Sequence, residues 1–318
     1  MNKFYLLLFL LLTSCSRKIN VDYKITFPKD HGIHSKYVVE WWYYNFHLKT
    51  EDNQKLTGIV AYFNNHFRIQ TLYNADKKSF RYFFQKGKLI SSDKDLNLKW
   101  ILSDTDVFKS VNKDGFISEV KNPQLTWNLN FRSTKPVFLI GGNGQVPFTV
   151  GSNHYYSFTR LEVDGEMIND GVKTKVKGLA WFDHQWGNFS MDHLWHWFGI
   201  RLDNGSDIVF YKAFNMKGKI INKYLSLYYK DGKIVNSQEF ELNELKNWSS
   251  PDSKITYPVL WNLKCKSPAI ELDIETDFIN QEIYTPKERV FYEGSIKCKG
   301  QFEGIKVSGE GFVEMIPY

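Results

Sequence analysis

Residues 178–187, Gly178-Leu-Ala-Trp-Phe-Asp-His-Gln-Trp-Gly187, set an acid and an imidazole, Asp183 and His184, between two indoles, Trp181 and Trp186. An aspartic acid enclosed by indoles has its charged form disfavoured and can keep its proton towards neutral pH. Such a group can protonate carbon, the first step in hydrating or isomerising an alkene. Aromatic faces such as Trp181 and Tyr156 stabilise the resulting positive charge by about 1–2 kcal/mol when desolvated. His154 or His184 can then take a proton from water or from a neighbouring carbon. The competing reading is a solvated strand end at which Asp183 caps a turn. The functional acid is favoured, because perturbed acids gather at sites.

A second aromatic group, Glu40-Trp41-Trp42-Tyr43, reads either as a ligand-stacking platform or as a core cluster with Glu40 hydrogen-bonded inside. With His184 and Trp186 these four residues complete the candidate substrate-binding set. His184, His193 and His196, with Asp183 and Asp192, raise the question of a metal. In a strand His193 and His196 point to opposite faces, so no metal site is expected, and no cofactor.

The elements that must hold these residues read as strands. Runs rich in Val, Ile, Phe, Tyr and Thr recur between turn signals such as Asn112-Lys-Asp-Gly115, Asp203-Asn-Gly205 and Lys230-Asp-Gly232. Only Glu241–Asn247 reads as a helix, and it is short. Hairpins without strand–helix–strand alternation predict an all-β chain of antiparallel barrels or sandwiches. The Gly178–Gly187 run departs from this pattern: a half-buried strand alternates apolar and polar residues, and this one does not.

The chain opens with Met1-Asn-Lys3, an apolar run from Phe4 to Leu12, and Leu12-Thr-Ser-Cys15. A charged start, a short apolar stretch and small residues before a cysteine describe a secretory leader. The run is too short for a bilayer span of roughly 20 residues. Leu12-Thr-Ser-Cys15 resembles the bacterial lipobox, which implies cleavage before Cys15 and lipidation there. The expected location is the cell envelope: the periplasmic side of an outer membrane, or the cell surface where there is a single membrane. Ser16 favours the outer membrane, because it is not the aspartate that marks inner-membrane retention. Several buried acyl chains, each methylene worth about 0.8 kcal/mol, would hold the chain firmly. Cys15→Ala is therefore expected to move the protein to the soluble fraction or to stall its processing, which fractionation and gel migration would show.

The net charge of +6 is spread among scattered lysines, without the clustered basic face of a nucleic-acid binder. A 42% hydrophobic content with 17% aromatics can fill cores and excludes disorder. Of the three cysteines, Cys265 and Cys298 are left as either a disulfide or two buried thiols. The expected partners are a hydrophobic small molecule and the membrane through its anchor, with the chain a monomer.

Four stretches together resemble the secreted AttH-like proteins, which are similar to carotenoid 1,2-hydratases and to lipocalin-like fungal cyclases. They are His34–Tyr43, His154–Leu161, Gly178–Gly187, and a tail with Tyr257-Pro-Val-Leu-Trp261, Tyr292-Glu-Gly294 and Gly309–Glu314. The resemblance implies two tandem lipocalin-like β-barrels. With a leader over 1–14 and an anchor linker over 15–23, they would occupy 24–190 and 191–318. It also implies catalysis by two paired segments, matched here to His154/Tyr156 and Trp181/Asp183. The implied activity is acid-assisted hydration, isomerisation or hydrolysis of an isoprenoid- or lipid-like molecule. The alternative is a carrier that only binds such a ligand. No Gly-x-Ser-x-Gly elbow supports a serine hydrolase.

Overall fold

The turns fall where the sequence signals them, at Asn112–Gly115 and at the positive-φ glycines Gly205 and Gly232, and antiparallel strands lie between them. The computed structural model describes residues 23–147, 151–189, 193–285 and 290–317. The leader and Cys15 lie outside the described residues. Two sheets hold the strands between them: one is formed from strands between Val39 and Phe189, the other from strands between Leu194 and Ile316.

Both sheets follow one plan. In the first, Val39–Thr50 pairs with the last strand, Val172–Phe189, and the two edge strands, Ser79–Lys86 and Lys88–Ser91, are consecutive in the chain. In the second, Leu194–Leu202 pairs with the last strand, Ile305–Ile316, and the edges Ile234–Ser237 and Phe240–Ser249 are again consecutive. Each sheet curls on itself, the first into a nearly closed barrel and the second into a half-barrel. The chain is all-β, with two barrel-like sheets, as the sequence predicts. Closure of the second is incomplete.

Glu241–Asn247 is not a helix. It lies within the strand Phe240–Ser249, which pairs with Thr256–Cys265 through two register shifts. Phe240 and Leu242 are buried while the charged residues beyond them face outward. Pairing with a neighbouring strand decides the local structure here over intrinsic preference. Cys265 and Cys298 are both buried free thiols.

Each sheet encloses its own core. Trp42, Tyr44, Phe108, Phe116 and Phe182 fill the first, and Phe198, Phe210, Leu263 and Trp261 the second. The sheets also pack outer face to outer face, through a third cluster that includes Tyr43, Ile59, Phe291 and Phe312. Strands at this contact are buried on both sides, which explains why Ala180–Gly187 does not alternate. Gly178 at its start marks a close approach: a Cβ there would lie 2.1 Å from the His47 carbonyl oxygen.

A buried charge cluster fastens the two sheets together. Asp207 of the second sheet accepts hydrogen bonds from Lys135 Nζ (2.8 Å) and Thr159 Oγ1 (2.8 Å) of the first, and pairs with Arg160 at 2.9 Å. Arg160 also donates to the Leu202 and Ser206 carbonyls. Thr159→Val, which keeps the shape and removes one bond to a buried charge, is expected to cost about 2 kcal/mol in urea unfolding.

Candidate functional site

Residues directly opposite in an antiparallel sheet share a face, so register sorts the candidates. Asp183 lies opposite Tyr43 on one side and Ser157 on the other. His184 lies opposite Trp42 and Tyr156, and His154 lies opposite Trp186. The first set faces outward, towards the second sheet, and the second set faces into the first barrel. The candidate catalytic residues are thus divided. Asp183 and Trp181 stand together on the outer face, whereas His154, Tyr156 and His184 lie behind the sheet. Neither histidine can exchange a proton directly with a molecule beside Asp183.

Between the sheets is a cleft of about 690 Å³ that reaches Asp183. Its walls are largely aromatic and aliphatic, including Trp41, Tyr43, Trp195 and Trp197. Asp183 is 3% exposed. Its Oδ1 accepts from Ser157 Oγ at 2.5 Å and Trp181 Nε1 at 2.6 Å, and its Oδ2 accepts from Tyr155 Oη at 3.0 Å. Trp197 Nε1, from the second sheet, donates to that same Tyr155 hydroxyl at 3.2 Å. Burial pushes the Asp183 carboxyl up to about 7, against the downward pull of its three donors. It is therefore an acid that still holds much of its proton near neutrality, not a turn cap.

Two further carboxyls line the same cleft, both from the second sheet: Glu293 and Glu314. Tyr43 Oη donates to Glu293 Oε1 at 2.7 Å, so the first sheet reaches this group too. Sequence reasoning assigned neither glutamate a role, although the signal that exposed Asp183 was present. Glu314 interrupts the apolar run Phe312-Val-Glu-Met-Ile316 as Asp183 interrupts its own.

The inner set forms a separate network beneath residues 23–37, which cover this part of the first barrel. Glu40 Oε1 lies 2.7 Å from His34 Nδ1 and 2.9 Å from His184 Nε2, and Oε2 accepts from the His34 backbone N–H at 2.9 Å. His34 Nε2 meets Asp30 Oδ1 at 3.2 Å, and His34 stacks on Trp186 with ring centroids 3.9 Å apart. Burial would lower His34, but hydrogen bonds to Asp30 and Glu40 outweigh it and raise its pKa. Burial would raise Glu40, and the two imidazoles instead hold it below its ordinary value. Tyr156 Oη bridges His31 Nδ1 at 2.6 Å and His184 Nδ1 at 3.1 Å. His154 is buried beside Tyr23 and Trp186, and burial lowers it to about 4.

Of the Glu40–Tyr43 stretch, Glu40 and Trp42 belong to this inner network, whereas Trp41 and Tyr43 line the cleft. His34, Glu40 and His184 are also the one group among the described residues with ligand spacing for a metal. Glu40 Oε1, however, sits within hydrogen-bond distance of both imidazoles, where an ion would have to stand.

Two β-sheets of one strand plan, with an acid-lined aromatic cleft between their outer faces, define an all-β protein of a barrel and a half-barrel. The chain belongs to the AttH-like family, whose profile matches residues 86–318. Among curated relatives, kievitone hydratase of Fusarium solani subsp. phaseoli is 22% identical over 328 residues, covering 93% of this chain and 87% of its own. The dehydratase asqC of Emericella nidulans is 20% identical over 253 residues, covering 74% and 72%. Among solved structures, an AttH protein of Nitrosomonas europaea superposes with a TM-score of 0.81 at 20% identity, covering 94% of this chain and 98% of that one. Kievitone hydratase of Nectria haematococca gives 0.74 at 18% identity, covering 87% and 88%. These structural likenesses establish a shared fold.

Proposed function

We propose that this chain is an envelope-anchored enzyme that adds water to, or removes it from, a lipophilic molecule, with Asp183 as the acid. The observation that carries the reading is a buried carboxyl, raised by burial to about 7, that opens onto an aromatic cleft of about 690 Å³. The curated relatives, a hydratase and a dehydratase, support the same reaction class.

Asp183 protonates an alkene carbon in hydration, and in dehydration its carboxylate takes that proton back from the carbon. Trp195, Trp197 and Tyr43 then face the cation with their π-systems, worth about 1–2 kcal/mol in a desolvated site. Tyr155, Ser157 and Trp181 hold the carboxyl and accept no charge themselves, so they position the acid. The largely apolar walls limit the water beside the cation, and isomerisation is the outcome when no water adds. Lipid attachment at Cys15 would place the cleft beside a membrane that dissolves such substrates.

The test is incubation of the full chain in ¹⁸O-water with kievitone and, separately, with an organic extract of the producing cells. Mass gain of one labelled water in any component supports the reading. Apolar molecules that co-purify with the chain but never gain label would favour the carrier alternative.

A further inference from the structure

The cleft carries more acid than one proton donor needs. Glu293 and Glu314 are direct cross-strand partners in the second sheet, so both side chains leave the same face with Cβ atoms roughly 5 Å apart. Like charges placed directly opposite destabilise a sheet, and among the described residues no lysine or arginine lines this cleft to offset them. The titratable groups facing the pair are Asp183, Tyr43 and Tyr155 from the first sheet, with Tyr211 and His193 from the second. Glu293 is buried and Glu314 half-buried, opening onto the cleft.

The common plan of the two sheets adds a second observation. Asp183 stands on the last strand of the first sheet, opposite Tyr43 of that sheet's first strand. Glu314 stands on the last strand of the second sheet, opposite Trp197 of its first strand. Each sheet thus contributes one acid from a corresponding place on its outer face, and the two acids look across one cleft. Tyr43 joins the halves: it neighbours Asp183 in the sheet and donates to Glu293 across the interface.

We propose that Glu293 and Glu314 are the water-handling half of this site, sharing one proton between them so that the ionised member takes a proton from the water that adds. The proposal rests on Asp183 being the acid. In the hydration direction the Asp183 O–H bond breaks and a C–H bond forms at the alkene. A water oxygen then bonds to the cation, and its O–H bond breaks towards the ionised glutamate. The proton gained by the pair returns through the cleft to Asp183, so the net change is addition of one water. Dehydration runs through the same steps in reverse. Burial, the neighbouring glutamate and Asp183 all raise Glu293, and burial and Asp183 raise Glu314, so the pair keeps a proton where ordinary glutamates would be ionised.

Two measurements on the full chain test this. Infrared spectra at pH 7 should show protonated carboxyl absorption that weakens in both Glu293→Gln and Glu314→Gln. If neither substitution changes that absorption, no proton is shared and the proposal is overturned. The ¹⁸O-water assay on the cell extract should show Glu314→Gln reducing label uptake by roughly 10²-fold. It should also abolish the acidic limb of the pH profile, where the wild-type base becomes protonated, while an unchanged melting temperature shows the fold intact. A Glu314 variant that keeps both limbs overturns the proposal even where Asp183→Asn is inactive. A fully active Asp183→Asn instead removes the acid on which both readings stand.

Discussion

Asp183→Asn is expected to lower turnover by about 10²–10⁴-fold, the usual worth of a positioned general acid, with the fold intact. Asparagine keeps the side-chain shape and can still accept from Ser157 and Trp181, but it has no proton to transfer. Ligand affinity should survive, because the apolar walls supply most of it. The pH dependence has a definite sign. The folded carboxyl titrates at about 7 against 3.8 when unfolded, so between those values the native state holds the extra proton. Stability from this group therefore falls as pH rises from 3.8 to about 7 and stays low above. Removing the group should raise the melting temperature at pH 8 more than at pH 4. Turnover in the wild type should likewise fall above pH 7, as the acid ionises. A stable, ligand-competent and fully active variant would exclude Asp183 as the acid, and equal losses of melting temperature and activity would make it a structural carboxylate.

Glu40→Ala is expected to destabilise the chain by about 3–5 kcal/mol, because it strips the shared acceptor from two imidazoles inside the first barrel. His34, whose pKa is raised, contributes stability below its unfolded value of 6.5, and that is lost as pH rises through its folded value. Glu40, whose pKa is lowered, contributes stability above 4.5, and that is lost as pH falls through its folded value. The network is thus strongest between about 4.5 and 6.5, and the loss in Glu40→Ala should be greatest there. Glu40→Gln, which can still accept one bond, should lose less. Urea unfolding at pH 5.5 and 8.5 measures both, and a Glu40→Ala protein as stable as wild type at each pH would show the network to be dispensable.

The strands, their hairpins and the family were legible because turn residues and residue classes are local properties. Asp183 was legible because an acid breaking an aromatic run has few structural explanations. Its partners were not, because which face a residue occupies depends on register between strands distant in the chain. Asp183 and His184 must point oppositely by strand geometry alone. Only the pairing of Ser157 with Asp183, and of His154 with Trp186, shows which neighbours join each. The bulge between Phe158 and Leu161, invisible in the sequence, resets that register further along. Glu241–Asn247 was misread because its charged residues suit a helix as well as the solvent face of a strand.

The cleft is built from the outer faces of the two sheets, apart from the residues that fill each sheet's interior. Ile59, Ala61 and Ile69 line it from outside the first barrel, while the interior cluster is made of other residues. Selection can therefore exchange those side chains, altering which molecule fits, while each sheet's interior stays as it is, provided the packing between the sheets is kept. Such a division lets one scaffold diversify in specificity while each sheet keeps its own core, and it makes these three positions the place to begin retargeting the chain by directed evolution.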